Sequence, residues 1–474
     1  RPIRGHRISR DHRIRAHRIR SRRPRNPSLG RAPAEREPVR RANLNTTHLF
    51  LFALVACGGT VSADHGSASP ASAHSRSMRN ACGASVEENR SISATPLPAP
   101  ALRPPKNFSI ETVAGVGGAR EIAALPNGDL IVGTGGNAVY IVPDAEGSPE
   151  PAHVFATMDD DEAAGVAFAG ARCEIYIATM HHVWVIPYHG ERKASQVRRI
   201  ADVRTGPVAP GTDGDIHTTT SVAYADGLIY AAAGSSCNAT TEHGEKPCTE
   251  VDPTRAAISL MSPNGSHFVQ RAKRIRNAIA LAVNPKTGSL WVGGAGQDDL
   301  PFGHPYEYLD DLSIHPGDAD YGWPECEENH HAYWRGYDCR KTVEPLIELP
   351  AYATIIGATF YPAGQAGAFA FPAGYWGGLF VAVHGSWHTD GSGCNAAPPR
   401  VVFVAMRGER PRKTVDWNDP TTQWTDFVTG FQNGCTSRIG RPTGISVGAK
   451  GSLFIADDDA GLVYRLRPHV DAMR

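Results

Sequence analysis

The stretch that decides the fold is GRPTGISVGAKGSLFIADDDAGLVYRL, residues 440–466. It holds a short apolar segment, a Gly-containing turn, a second apolar segment and then a third. Glycine supplies the positive φ that a tight hairpin turn needs, and runs of four to six apolar residues between turns read as strands. The same phrase recurs as AALPNGDLIVGT (123–134), VAYADGLIYAAA (222–233) and LAVNPKTGSLWVGG (281–294). Looser copies are VAFAGARCEIYIAT (166–179) and WGGLFVAVHG (376–385). Several copies are followed by a further strand: NAVYIVPD, HHVWVIPY, PRVVFVAM or AGLVYRLRP. Repeats of this size in an all-β chain predict a propeller, and six copies predict a six-bladed β-propeller over residues 108–468. A pair of packed sheets would explain the number of strands but not the recurring phrase.

The chain has 474 residues with 48 Lys+Arg and 48 Asp+Glu, but the charge is unevenly placed. Residues 1–41 hold fifteen Arg and three acidic residues, a net of +12, so the remainder stands at −12. An acidic body argues against nucleic acid as a partner, because phosphate binding needs a cationic face. The Arg-rich leader 1–41 is too polar to fold alone and is expected to be disordered. It reads either as a basic arm or, favoured here, as sequence upstream of the natural start. In residues 42–57, Arg40 and Arg41 precede the apolar run Leu49–Ala56, as in an export signal, and LVAC with Cys57 resembles a lipobox. Residues 58–107 begin with a Ser/Ala/Gly-rich stretch suited to a flexible tether. The expectation is an exported protein, periplasmic or outer-membrane-anchored, touching membrane only through a lipid on Cys57. No apolar run reaches the ~18 residues that span a bilayer.

Eight other cysteines fit an exported, disulfide-bearing chain. Eight Cys allow 105 pairings. Nearness in the chain favours Cys237–Cys248, Cys326–Cys339 and Cys394–Cys435, leaving Cys82–Cys173. With no CxxCH, the chain carries no covalent haem.

Loops of a propeller converge at the channel mouth, so polar residues flanking the repeated strands are the candidate site. His217, before 222–233, is a candidate general base. Arg276–Asn277, before 281–294, offers a guanidinium fork and an amide for carboxylates or carbonyls. The loop GGAGQDDLPFGHPYEYLDDL (293–312) is rich in oxygen donors of the kind that bind calcium, or else is a solvated acidic loop. His384–Trp387 and Arg441 complete the set. The pairs His181–His182 and His330–His331 lack zinc-site spacing and read as surface histidines.

The body resembles the glucose/sorbosone dehydrogenase family, the soluble β-propellers that use pyrroloquinoline quinone (PQQ) and calcium, and within it the sorbosone dehydrogenase-like branch. The resemblance rests on GAREIAALPNGDLIVGT (118–134), DPTRAAI (252–258), RNAIALAVNPKTGSLWVGG (276–294), DADYGWPEC (318–326), LFVAVHGSW (379–387), TDFVTGF (425–431) and GRPTGISV (440–447). It implies a sugar dehydrogenase oxidising an aldose or a sorbosone-type sugar at C1 and passing electrons to a separate acceptor. His217 would be the base, Arg276 would polarise the quinone, and Asn277 would lie beside it. Gly296 and Gln297 would ligate calcium with their carbonyls, and Glu307, the acidic residue that follows that loop, would join them in the metal site. Arg441 would clamp a cofactor carboxylate, His384 and Trp387 would line the mouth against the cofactor, and Arg400 would contact the cofactor in place of a family Lys.

Thr443 stands where a second clamp Arg is usual, and Thr219, Thr220 and Ser221 where an Arg follows the base. Asp160 or Asp161 stands near a substrate-contacting Gln, and His304 breaks an Asp-rich calcium loop. These departures support the alternative of a cofactor-less binding module for a glycan or protein. A calcium-only hydrolase of the lactonase kind is a third reading, which the His217 and Arg276–Asn277 set fits less well.

Overall fold

The computed structural model describes residue 82, residues 97–98, and then 101–208, 216–238, 250–298, 303–327, 329–333 and 336–469. The leader, the export segment with Cys57, and most of the tether lie outside the described residues.

Six sheets, antiparallel except where Ala319–Asp320 adds to Val269–Lys273 in parallel, form the six-bladed propeller expected from the repeats. Their innermost strands are Ala119–Ala124, Gly165–Ala169, Thr220–Ala225, Asn277–Val283, Ile355–Phe360 and Pro442–Val447. Each pairs with the next strand of its phrase, as Pro442 does with Asp457 and Asn277 with Ala295. Phe108–Gly115, the first long strand, pairs with the last, Leu462–Pro468, and so closes the ring with the N-terminal chain. Ahead of it, Leu97–Pro98 pairs with residues 111–112, and Arg103 bridges Thr429. The end of the expected tether is therefore built onto the propeller: backbone groups there find partners that a free linker lacks.

Side chains alternate across a strand, so a sheet packed on both faces needs apolar residues at successive positions. The second strands meet this demand. In the last blade, Leu453 and Ile455 pack towards the fifth blade, while Phe454 and Ala456 pack towards the first. In the first blade, Leu130 and Val132 face the sixth and Ile131 the second. Six apolar clusters result, one at each junction between neighbouring blades.

At the channel the inner strands approach edge to edge, and two glycines make the approach possible. A Cβ on Gly357 would collide with the Thr443 carbonyl, and one on Gly444 with the Arg120 carbonyl. Backbone groups that no sheet can pair are met by side chains reaching across the junctions. Glu146 accepts from the amides of Lys450 (2.7 Å) and Ser452 (3.0 Å), and Glu307 accepts from Ile355 (3.0 Å). Glu121, in the first inner strand, accepts from the Val166 amide (3.3 Å) and from the Ser221 hydroxyl, joining three blades.

Disulfides join Cys82 to Cys173 and Cys326 to Cys339. Cys237 is disulfide-bonded, and Cys248 lies outside the described residues. The expected Cys394–Cys435 bond is corrected: both are thiols, and Cys435 is hydrogen-bonded to Cys394. A backbone bond from Asn395 to Cys435 (2.8 Å) sets the two segments side by side without joining the sulfurs.

Burial drives the Glu121 carboxyl from its ordinary 4.5 up to about 8, against the pull of its hydrogen-bond donors. Its ionisation therefore opposes folding: the penalty is absent below pH 4.5, where folded and unfolded chains are both protonated, and grows until about pH 8. Glu121→Gln should remove that dependence. The difference in melting temperature between variant and wild type should shift in the variant's favour between pH 5 and pH 8, as read by thermal unfolding.

Candidate active site at the channel mouth

Each inner strand starts, and each second strand ends, at the same rim of the channel, so two loops per blade deliver side chains there. Loops before inner strands supply Glu162, the His217–Thr219 run, Arg276 and Arg441, and the inner strand of the first blade supplies Arg120 near its start. Loops after second strands supply Ser235, Asp298, His384 and Asp458.

His217 sits beside Arg276–Asn277, on the neighbouring blade. Nδ1 lies 2.8 Å from the Ser235 carbonyl and 3.0 Å from the Ser235 hydroxyl, which itself donates to the Cys237 carbonyl (2.7 Å). A carbonyl can only accept, so Nδ1 carries the proton and Nε2 is the ring's acceptor. Gly234 lets the groups meet: a Cβ there would fall 2.5 Å from both His217 Cβ and Asn277 Oδ1. The loop backbone is held by Arg204, a buried guanidinium that donates to the carbonyls of His217 and Thr219 (2.6 Å) and to the Thr220 hydroxyl (3.2 Å). Glu162 accepts from the hydroxyls of Thr218 and Thr219 (3.1 Å).

Asn277 is buried, and its Oδ1 has no hydrogen-bond partner among the described residues. Arg276 donates to Asn238 Oδ1 (3.0 Å) and pairs with Asp298 (2.7 Å), whose other oxygen meets His388 Nε2 (2.9 Å). The His388 ring lies 4.4 Å from Tyr352. A second chain of charges runs from Arg120 to Asp458 (2.8 Å) and on to His384 Nε2 (2.9 Å). Burial pushes the His384 imidazole down to about 4, outweighing the pull of Asp458, so it is neutral at physiological pH. Burial works against ionisation of Asp458 too, yet His384 and Arg120 hold its carboxyl below the usual value. Arg441 donates to the carbonyls of His384 (3.0 Å) and Gly385 (2.6 Å) and lies 4.5 Å from the centre of the Trp387 ring. Burial, reinforced by the neighbouring Arg438 charge, lowers its guanidinium to about 10.

The structure thus brings together His217, Arg276, Asn277, His384, Trp387 and Arg441. Gly296 and Gln297 lie next to Asp298 at this rim. The Gln297 side chain turns inward and donates Nε2 to the Pro324 carbonyl (2.8 Å) and to Glu327, while its buried Oε1 has no hydrogen-bond partner among the described residues and joins the backbone carbonyls of the pair as a candidate ligand. Residues 299–302 of that loop are outside the described set. Among the described residues, no cluster of three His, Cys, Asp or Glu could hold a metal.

Two expectations are corrected. Glu307 is no rim ligand: its buried carboxyl is spent on the backbone of the next blade, and desolvation raises it to about 7. Arg400 points away, lying 5.7 Å from the Trp424 ring and pairing with Asp426 (2.8 Å) on the outer strand of its blade. Thr443 is consumed structurally by the Ala119 carbonyl (2.9 Å). The surface histidines are as read: His181 pairs with Asp160 (3.0 Å) and His182 with Asp202 (3.1 Å). Sequence reasoning missed Arg120, Asp298 and Asp458. The signal was positional: Arg120 lies just inside the start of its inner strand, as Arg276 and Arg441 lie just ahead of theirs, and Asp458 holds the slot of His384.

The fold is a six-bladed β-propeller whose polar and charged side chains gather at one rim of its channel. Against known proteins, the TrAA12-like family matches residues 327–469. The chain resembles the PQQ domain of pyranose dehydrogenase from Coprinopsis cinerea, in its holo form, with a TM-score of 0.61 and 18% identity over 78% of this chain and 98% of that one. A calcium structure of the Trichoderma reesei carbohydrate-active enzyme family AA12 gives 0.62 at 17% identity, covering 80% and 99%. Soluble aldose sugar dehydrogenase from Escherichia coli, in the apo form, gives 0.52 at 16% identity, covering 76% and 100%. Among curated proteins, an uncharacterized protein of Borreliella burgdorferi is 24% identical over 196 residues, 40% of this chain and 47% of that one. The chain thus spans about half the length of that relative.

The Arg120–Asp458–His384 chain links the first blade to the fifth and sixth across the closure of the ring. Asp458→Ala should cost about 3 kcal/mol, since removing one partner leaves a largely buried guanidinium uncompensated. Denaturant unfolding at neutral pH checks it.

Proposed function

We propose that the chain is an exported sugar dehydrogenase that uses PQQ and calcium, oxidises an aldose or a sorbosone-type sugar at C1, and hands electrons to a separate acceptor. The observation that carries this reading is His217 fixed as a base beside the Arg276–Asn277 pair. Likeness to the PQQ domain from Coprinopsis cinerea and the calcium structure from Trichoderma reesei supports it at the level of fold. Export is supported by the disulfides and by the signal-like segment ending at Cys57.

The rim residues fit a quinone that bears carboxylates. Asn277 offers an orphaned buried oxygen and an amide, and Arg120, Arg276 and Arg441 offer guanidinium groups around one opening. When bound, such a quinone supplies a carbonyl that accepts hydride. Arg276 and Asn277 would hold it, with Arg441 on a carboxylate. Calcium would take the carbonyls of Gly296 and Gln297, since neutral oxygens are ordinary calcium ligands. His217 accepts the proton of the sugar hydroxyl at Nε2, while the Ser235 carbonyl keeps Nδ1 protonated and the ring oriented. As that ring becomes a cation, the same carbonyl stabilises it. Arg276, steadied by Asn238 and Asp298, directs positive charge to where negative charge develops.

Arg400 and Thr443, both engaged elsewhere, favour the second reading, a cofactor-less module that binds a glycan or protein. Titration with PQQ and calcium, followed by a panel of aldoses with an artificial acceptor, separates the two. The dehydrogenase reading expects saturable quinone binding and dye reduction that falls at least about a hundredfold in His217→Ala. Absence of quinone binding with and without calcium overturns it in favour of the module.

A further inference from the structure

One part of the rim holds two guanidinium groups that make no direct ion pair among the described residues, although Asp458 and Asp459 lie near enough to act on Arg441. Elsewhere the charges pair off: Arg120 with Asp458, Arg276 with Asp298, and Asp298 again with His388. Arg438, on the short strand Ser437–Arg438, makes no ion pair among the described residues. It donates Nη2 to the Ser386 carbonyl, and its buried Nε has no partner among the described residues. Arg441 stands close by, also without a carboxylate in ion-pair contact, its two donations going to backbone carbonyls. Both guanidinium groups lie against one indole, Arg438 at 4.8 Å and Arg441 at 4.5 Å from the ring centre of Trp387. That indole is 73% exposed, although a tryptophan of this size is seldom left so open.

We propose that Trp387 and Arg438 form a subsite for a carboxylate-bearing sugar, so that the mouth takes a hexuronic acid in preference to a neutral aldose. An exposed indole offers a flat apolar face to the C–H groups of a pyranose, and a guanidinium is the side chain best matched to a carboxylate, which it binds through two parallel hydrogen bonds. A neutral sugar would cover the indole and leave Arg438 without its counter-charge. An amino sugar would meet repulsion from two cations. Depth separates this subsite from the cofactor clamp: Arg441 is buried at the start of its inner strand, whereas Arg438 is half-buried on the rim. Arg438 is here a specificity residue. The proposal rests on the reading of the mouth as a sugar site, but not on its holding a quinone.

The test is calorimetric titration of the full chain, without quinone, using D-glucuronate, D-galacturonate, D-glucose and D-galactose, on wild type, Arg438→Gln and Trp387→Ala. Wild type should bind the uronates about tenfold or more tightly than the neutral sugars, as one charge-assisted contact provides. Arg438→Gln should erase that preference and leave PQQ affinity within about twofold. Trp387→Ala should weaken both classes of sugar together. Equal affinity for the two classes in wild type, no binding of any of the sugars, or loss of PQQ binding in Arg438→Gln would each overturn the proposal, the last by assigning Arg438 to the cofactor. Uronate preference without quinone binding would uphold the subsite while removing the dehydrogenase reading.

Discussion

Burial of every blade on both faces is the constraint from which the rest of this structure follows. A sheet covered on one side alternates apolar and polar residues, whereas a sheet clasped between two neighbours must be apolar at consecutive positions. That demand writes LFIAD and LIVGT into the second strands and spends nearly all their side chains on packing. Chemistry is consequently confined to strand ends. Because the strands of each phrase are antiparallel, the start of the inner strand and the end of the second fall at one rim, and function collects there.

Packing so many chains edge to edge around a channel leaves backbone groups with no sheet partner. Carboxylates fill that gap at the junctions: Glu121, Glu146 and Glu307 each reach into a neighbouring blade. Their desolvation is only partly offset by the donors they meet, so burial raises all three, and this distinguishes them from the rim carboxylates Asp298 and Asp458, which meet cations and remain partly solvated. Two families of acids therefore serve different ends, one tying blades and one balancing charge around the opening.

This division marks what could be read from the sequence. The propeller was legible because turn glycines and doubled apolar runs recur with little disguise, and His217 and Arg276–Asn277 were legible because they flank such runs. Glu307 was misread as a rim ligand since a carboxylate beside an acidic loop looks the same in sequence whether it faces solvent or a neighbour's amides. Arg400 was misread because position along a strand does not reveal which way a long side chain leans, and here Trp424 and Asp426 draw it outward. The Cys394–Cys435 pair shows the same limit: chain proximity brought the segments together correctly but could not state the distance between sulfurs. Asp298 and Asp458 acquire meaning only when blades are superposed in thought and equivalent slots compared.

The strand Phe108–Gly115 completes the last blade with residues made long before the rest of it. Until the end of the chain arrives to receive that strand, the sixth blade has no outer edge and the first has no neighbour on one side. Arg120 and Asp458 then belong to separate parts of an open arc, and the opening they help to frame does not yet exist. The fold accordingly couples completeness to competence: a chain arrested before its final hairpin could be compact through most of its blades and still present no mouth at all.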